Sequence, residues 1–129
     1  MSMRSLGKMY RLAEAGETIP LLAHIVELEE AYGADPDFLN LALLGAAEAN
    51  QLETVLALLE RGANIEGASQ RSYIHPLWKA AKRGHLEMVQ LLVRRGADPK
   101  ATDNNGNTAL DYARKYSRHE VVRYLESLS

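Results

Sequence analysis

HPLWKAAKRGHLEMVQLLVRRGADPKA, residues 75–101, carries two helix signals back to back. Pro76 suits a first helical turn, where its missing N–H would have no intrahelical partner. Leu77, Ala80 and Ala81 then share one face of a short helix that stops at Gly84. A second apolar stripe, Leu86, Val89 and Val93 with Leu92 beside it, predicts a helix over residues 86–95, closed by Gly96 in a left-handed conformation. Neither helix is long enough to be stable alone in water, and a lone hairpin would leave its apolar faces wet. The unit therefore needs a similar neighbour on each side.

The chain supplies both. Shifted back by 34 residues, the segment aligns residues 43–64 with 77–98 at 10 identical positions of 22, Ala46, Ala47, Leu52, Glu53, Val55, Leu58, Arg61, Gly62 and Ala63 among them. Shifted forward by 33, it aligns residues 76–92 with 109–125 at 6 of 17. A period near 33 with two short helices and a turn-rich connection resembles the ankyrin repeat. The resemblance rests on His75-Pro76-Leu77-Trp78-Lys79-Ala80 for the family's T-P-L-H-x-A and Gly84-His85-Leu86-Glu87 for its G-H-x-E. Arg95-Gly96-Ala97-Asp98 stands for its G-A-D, and residues 103–110 for its D-x-x-G-x-T-P-L. The fold it implies is all-α: one solenoid domain over residues 1–129, made of four stacked helix-turn-helix units with short hairpin-like loops. Approximate repeats are 1–35 (N-terminal cap), 36–69, 70–102 and 103–129 (C-terminal cap).

Outside the central segment the repeats degenerate. Leu6, Met9, Tyr10 and Ala13 mark a first helix ending near Gly16, and Thr18 is the expected cap of a second that carries Leu21, Leu22, Ile25 and Leu28. Arg4, Lys8, Arg11, Glu14, Glu27, Glu29 and Glu30 give this end repeat the polar face that a terminal unit needs. The second repeat is expected to start at Asp37 as N-cap. Asn50 replaces its turn glycine, a substitution that a left-handed turn tolerates. Thr108 is the expected cap of the last repeat, whose final helix turns Val121, Val122, Leu125 and Leu128 inward.

The 129 residues have ordinary charge content and ample apolar residues, which suits one compact domain. With no cysteine, disulfides and thiolate zinc sites are excluded, which fits a reducing compartment, and the cytoplasm is the expected location. No signal peptide or apolar run of membrane-spanning length is visible. No phosphate loop, His-Glu-x-x-His or Gly-x-Ser-x-Gly occurs, so no enzyme activity, metal or cofactor is expected. His85 and His75 read as histidines bonded to nearby loop backbone, Asp35 and Asp37 as helix caps, and Met88 and Tyr124 as core.

What remains is surface. The resemblance implies partner binding through hairpin tips and the concave side of the first helices. These positions are Asp37, Phe38, Asn40, Gly45, Glu48 and Ala49 in the second repeat, and Arg71, Ser72, Ile74, Lys79, Lys82 and Arg83 in the third. In the fourth they are Asn104, Asn105, Asn107, Tyr112, Lys115 and Tyr116. Tyr73 and Trp78 add aromatic surface of the kind found in binding hot spots, although Trp78 fits core packing equally well. Residues 1–66 hold 4 Lys/Arg against 11 Asp/Glu, net −7, and residues 67–129 hold 11 against 6, net +5. Such a dipolar molecule would steer a partner that carries an acidic patch toward its C-terminal half.

The expected function is therefore a non-catalytic binder or inhibitor of another protein, monomeric when free. The alternative is nucleic-acid binding by the basic half. The centre of the site is expected at Lys79, Lys82 and Arg83 with Tyr112, Lys115 and Tyr116. Lys82 and Lys115 are equivalent positions one repeat apart, and a ligand would neutralise them unless Glu120 does so from within.

Overall fold

The computed structural model describes residues 3–67 and 74–128 of the 129. All regular structure among them is helical: α1 (Met3–Ala15), α2 (Thr18–Tyr32), α3 (Pro36–Glu48), α4 (Leu52–Glu60), α5 (Pro76–Arg83), α6 (Leu86–Arg94), α7 (Ala109–Lys115) and α8 (His119–Ser127). Consecutive helices pair as hairpins, and the first helices stack in one row, α1 on α3, α3 on α5 and α5 on α7. The second helices touch more lightly, α2 on α4 and α6 on α8.

Small residues let the first-helix row pack closely. Ala42, Ala46, Ala47, Ala80, Ala81, Ala109 and Ala113 are all fully buried along it. The larger core side chains, Leu21, Ile25, Val55, Leu58, Met88, Val89, Leu92 and Val121, come mainly from the second helices and fill the space between the two rows. This division fixes the stacking distance, because a bulky residue in the alanine row would push neighbouring repeats apart.

A recurring inter-repeat bond ties the stack together. Gln51 Nε2 donates to the Glu14 carbonyl (2.9 Å), His85 Nε2 to the Glu48 carbonyl (2.9 Å) and Arg118 Nε to the Lys82 carbonyl (2.8 Å). The three donors follow equivalent turns and the three acceptors end equivalent helices, so different side chains make one bond. The turn residue before each donor lies in the left-handed region: Asn50 at φ 61°, Gly84 at 76° and Ser117 at 58°, with Gly16 at 72° opening the series. At Gly84 a Cβ would also stand 2.7 Å from the Arg118 side chain as it crosses to its acceptor, so glycine is favoured there both by conformation and by space.

Three local expectations change. Thr18 lies within α2 rather than capping it: Glu17 is the flanking residue, and the Thr18 hydroxyl bonds that of Thr54 at 2.7 Å, joining α2 to α4. The N-cap of α3 is Asp35, not Asp37; its carboxylate accepts the Asp37 N–H at 2.9 Å with Pro36 in the first turn. Leu128 is 41% exposed and stays outside the core that holds Val121 and Leu125.

Candidate functional site

The third and fourth repeats present the first-helix row with its charged and aromatic side chains. α5 is capped by His75, which is fully buried. Its Nδ1 accepts the Leu77 N–H at 3.2 Å and so caps the helix, which leaves Nε2 to carry the ring proton and donate to the Glu66 carboxylate. The other Glu66 oxygen accepts the Asp98 N–H at 3.1 Å, so one carboxylate joins the end of the second repeat to both ends of the third. Residue 75 therefore bonds a cap position and a neighbouring carboxylate, and His85 bonds the backbone of the repeat before it.

Trp78, one turn into α5, is only 5% exposed. Its indole N–H donates to the Ala101 carbonyl at 3.2 Å, and its ring stacks on Tyr112 of α7 with centroids 6.3 Å apart and planes at 30°. It is chiefly a packing residue. Its remaining edge, with Ile74, Lys79, Lys82, Asp103 and Tyr112, lines a groove of about 220 Å³.

The far wall of the groove is the turn of residues 103–107. Asp103 accepts from the backbone N–H groups of Asn105 and Asn107, each at 2.9 Å, while Gly106 takes a positive φ of 80°. The Tyr112 hydroxyl donates to the same carboxylate. This bond is the first cause of a lowered Asp103 pKa and of a Tyr112 phenol pushed up to about 12. Thr108 then caps α7 in a full capping box with Asp111.

Glu48, at the end of α3, organises the cations. Lys79 Nζ lies 3.1 Å from one of its oxygens and Arg83 Nη2 3.7 Å from the other. Beside it Tyr10 is half-buried, and burial followed by the Glu48 charge raises its phenol pKa. Lys82 and Lys115 behave differently. Their ammonium groups lie over the single ring of Tyr116, 5.2 and 5.7 Å from its centroid. Among the described residues no carboxylate, Glu120 included, forms an ion pair with either.

The structure thus brings together Glu48, Trp78, Lys79, Lys82, Arg83, Tyr112, Lys115 and Tyr116, with Asn104, Asn105 and Asn107 on the adjoining turn. Asn104 and Asn105 are exposed, and the Asn107 backbone is committed to Asp103. Arg71, Ser72 and Tyr73 lie outside the described residues. The second repeat is a correction. Phe38 is 1% exposed, Asp37 3% and Asn40 6%, and Gly45 is buried with the Tyr10 ring against it. The cause is the early start of α3 at Pro36: the residues that would form a hairpin tip are folded into its first turns, and their side chains become core. Asn40 serves the interior, its Oδ1 accepting the Asn64 N–H at 2.7 Å. The role of Glu48 as a shared counter-ion was not legible, since its partners stand 31 and 35 residues further along.

Comparison with known proteins agrees with this architecture. The pattern described as ankyrin repeats (3 copies) matches residues 43–127. The human ARF GTPase-activating protein GIT1 is 35% identical over 102 residues, 79% of this chain and 13% of that protein. Ankyrin repeat and SAM domain-containing protein 6 of Danio rerio is 39% identical over 88 residues, covering 68% and 12%. The probable E3 ubiquitin-protein ligase XBOS34 of Oryza sativa is 40% identical over 76 residues, covering 58% and 15%. This chain belongs to the ankyrin-repeat family, a protein-interaction fold that is generally non-catalytic. It spans about an eighth of the length of the relatives it matches. No helix among the described residues is long and apolar enough to cross a membrane.

Proposed function

We propose that the chain is a non-catalytic, stoichiometric binder that masks one partner protein in the cytoplasm, laying it along the third and fourth first helices and the turn of residues 103–107. The observation that carries this reading is the continuous surface formed where α5 stacks on α7. Lys79, Lys82, Lys115 and Tyr116 share it with the groove over Trp78 and Tyr112, so an aromatic floor lies beside cations, a composition suited to a binding centre. Nucleic-acid binding has less support. Lys79 and Arg83 are occupied by Glu48, Arg114 by Glu126 at 3.0 Å, and Arg118 by a backbone carbonyl. A phosphate backbone would have to compete for these four with contacts already made within the chain.

The test isolates the partner from the native source on the immobilised full chain and rebuilds the complex from purified components. Light scattering should give a one-to-one complex. Tyr116→Ala should speed dissociation, and Arg94→Gln with Arg95→Gln on the second helix should leave binding unchanged. A complex lost on the Arg94/Arg95 change but intact on the Tyr116 change would move the surface to the other side. Tight, steeply salt-dependent binding to non-specific duplex DNA would favour nucleic acid.

A further inference from the structure

We infer that Lys82 and Lys115 form a two-lysine clamp for a carboxylate of an acidic segment of the partner, and that an apolar side chain next to that carboxylate enters the groove over Trp78 and Tyr112. The inference rests on the protein-binding reading above and specifies its chemistry.

Lys82 and Lys115 end equivalent first helices 33 residues apart, and the stacking of α5 on α7 carries both ammonium groups to one tyrosine ring. A lysine in the last turn of a helix is favoured by the exposed carbonyls there, which accounts for each lysine on its own helix. It does not account for their convergence. The π face of Tyr116 answers part of each charge and none of the repulsion between them. Lys79 and Arg83, on the same face of the same helix, show what a satisfied cation looks like here, because Glu48 from the preceding repeat reaches both. Among the described residues no carboxylate plays that part for the next pair, so the stack leaves a site for one beside Lys82 and Lys115. A partner's Asp or Glu would complete the arrangement that Glu48 completes one step earlier.

Lys82 also lines the groove, which sets what must lie beside the carboxylate. The groove has room for one aliphatic or aromatic side chain against the Trp78 edge and the Tyr112 ring. Its opposite rim is Asp103, whose charge is already shared among Tyr112, Asn105 and Asn107. That rim repels a second carboxylate, so the acidic group belongs on the Lys82 side and the apolar one nearer the turn.

The full chain is titrated with two blocked pentapeptides, Glu-Glu-Leu-Glu-Glu and Glu-Glu-Ser-Glu-Glu, and separately with inorganic phosphate, following amide shifts and the emission of Trp78, the only tryptophan. The leucine peptide should shift amides around residues 78–82 and 112–116, perturb Trp78 and bind more tightly than the serine peptide. Lys82→Gln with Lys115→Gln should weaken it about tenfold, the combined loss of two exposed ion pairs. Arg94→Gln with Arg95→Gln removes equal charge from another face and should change little; thermal melts check that both variants stay folded. Equal weakening in the two double variants would mean a diffuse field and no clamp. Tighter binding of phosphate than of either peptide would make it a phosphate site, and the absence of shifts at residues 78–82 and 112–116 would remove it. A native partner that still binds one-to-one after Lys82→Gln and Lys115→Gln would overturn the clamp and leave the protein-binding reading intact.

Discussion

The buried His75 and the half-buried Glu66 form an inter-repeat bond in which the imidazole Nε2–H donates to the carboxylate while Nδ1 accepts the N–H of Leu77. The family's usual residue at this position is threonine, which can cap the helix but is too short to repeat both contacts. His75→Ala should therefore lose the cap and leave an oxygen of Glu66 without its donor. Urea unfolding should show a loss of about 2–3 kcal/mol, the sum expected for a helix cap and a charge-assisted hydrogen bond. His75→Thr should recover about 1 kcal/mol of it through the cap alone. Equal losses in the two variants would mean that capping contributes nothing here.

The bond between Tyr112 and Asp103 should appear in the pH dependence from both ends. Asp103 titrates below its ordinary value, so its contribution is present above that value and is lost as pH falls through the lowered one. Tyr112, raised to about 12, contributes fully below the ordinary phenol value of about 10 and loses its contribution as pH rises toward 12. Following tyrosinate absorbance, Tyr112→Phe should remove the ionisation step expected at about 12 from the raised phenol and shift the acid unfolding midpoint upward. A titration whose step at about 12 survives the substitution would separate Tyr112 from the raised phenol.

Phe38 distinguishes a core residue from a contact residue. Because its ring is buried in the core from the first turn of α3, Phe38→Ala should cost about 3–5 kcal/mol and lower the melting temperature of the free protein. A partner contact would instead leave the melt unchanged and weaken only binding.

Ser117 occupies the left-handed turn position that glycine fills at residue 84, without the relief that asparagine brings to residue 50. Ser117→Gly should stabilise the last hairpin by about 0.5–1 kcal/mol, read as a rise in melting temperature. Ser117→Ala keeps the strained φ and should give no gain.

Much of the fold was legible because a repeat states its local rules several times. The pattern of Leu77 and Ala80 recurs at a nearly fixed offset, as Leu43 with Ala46 and Leu110 with Ala113, and short helices that cannot stand alone leave stacking as the way to bury them. Thr108 announced its cap by residue type, its capping-box partner Asp111 appearing only in the structure, and Asn50 announced its turn by side-chain type. The second repeat departed because local signals compete. Pro36 suits a first helical turn, so Asp35 outranked Asp37 as the cap and α3 began two residues early. In the helix that results, Asp37, Phe38 and Asn40 face the interior.

Sequence by itself determined the repeat, the length of its helices, the small residues of the first-helix row and the equivalence of Lys82 with Lys115. Tertiary structure alone decided which charges remain uncommitted. Glu48 reaches Lys79 and Arg83 across a repeat boundary, while Lys82 and Lys115 meet at Tyr116 with no such partner among the described residues. Periodicity orders residues within a repeat and along the stack. Pairing between side chains on adjacent helices depends on reach and rotamer over a few ångströms, which spacing along the chain does not encode.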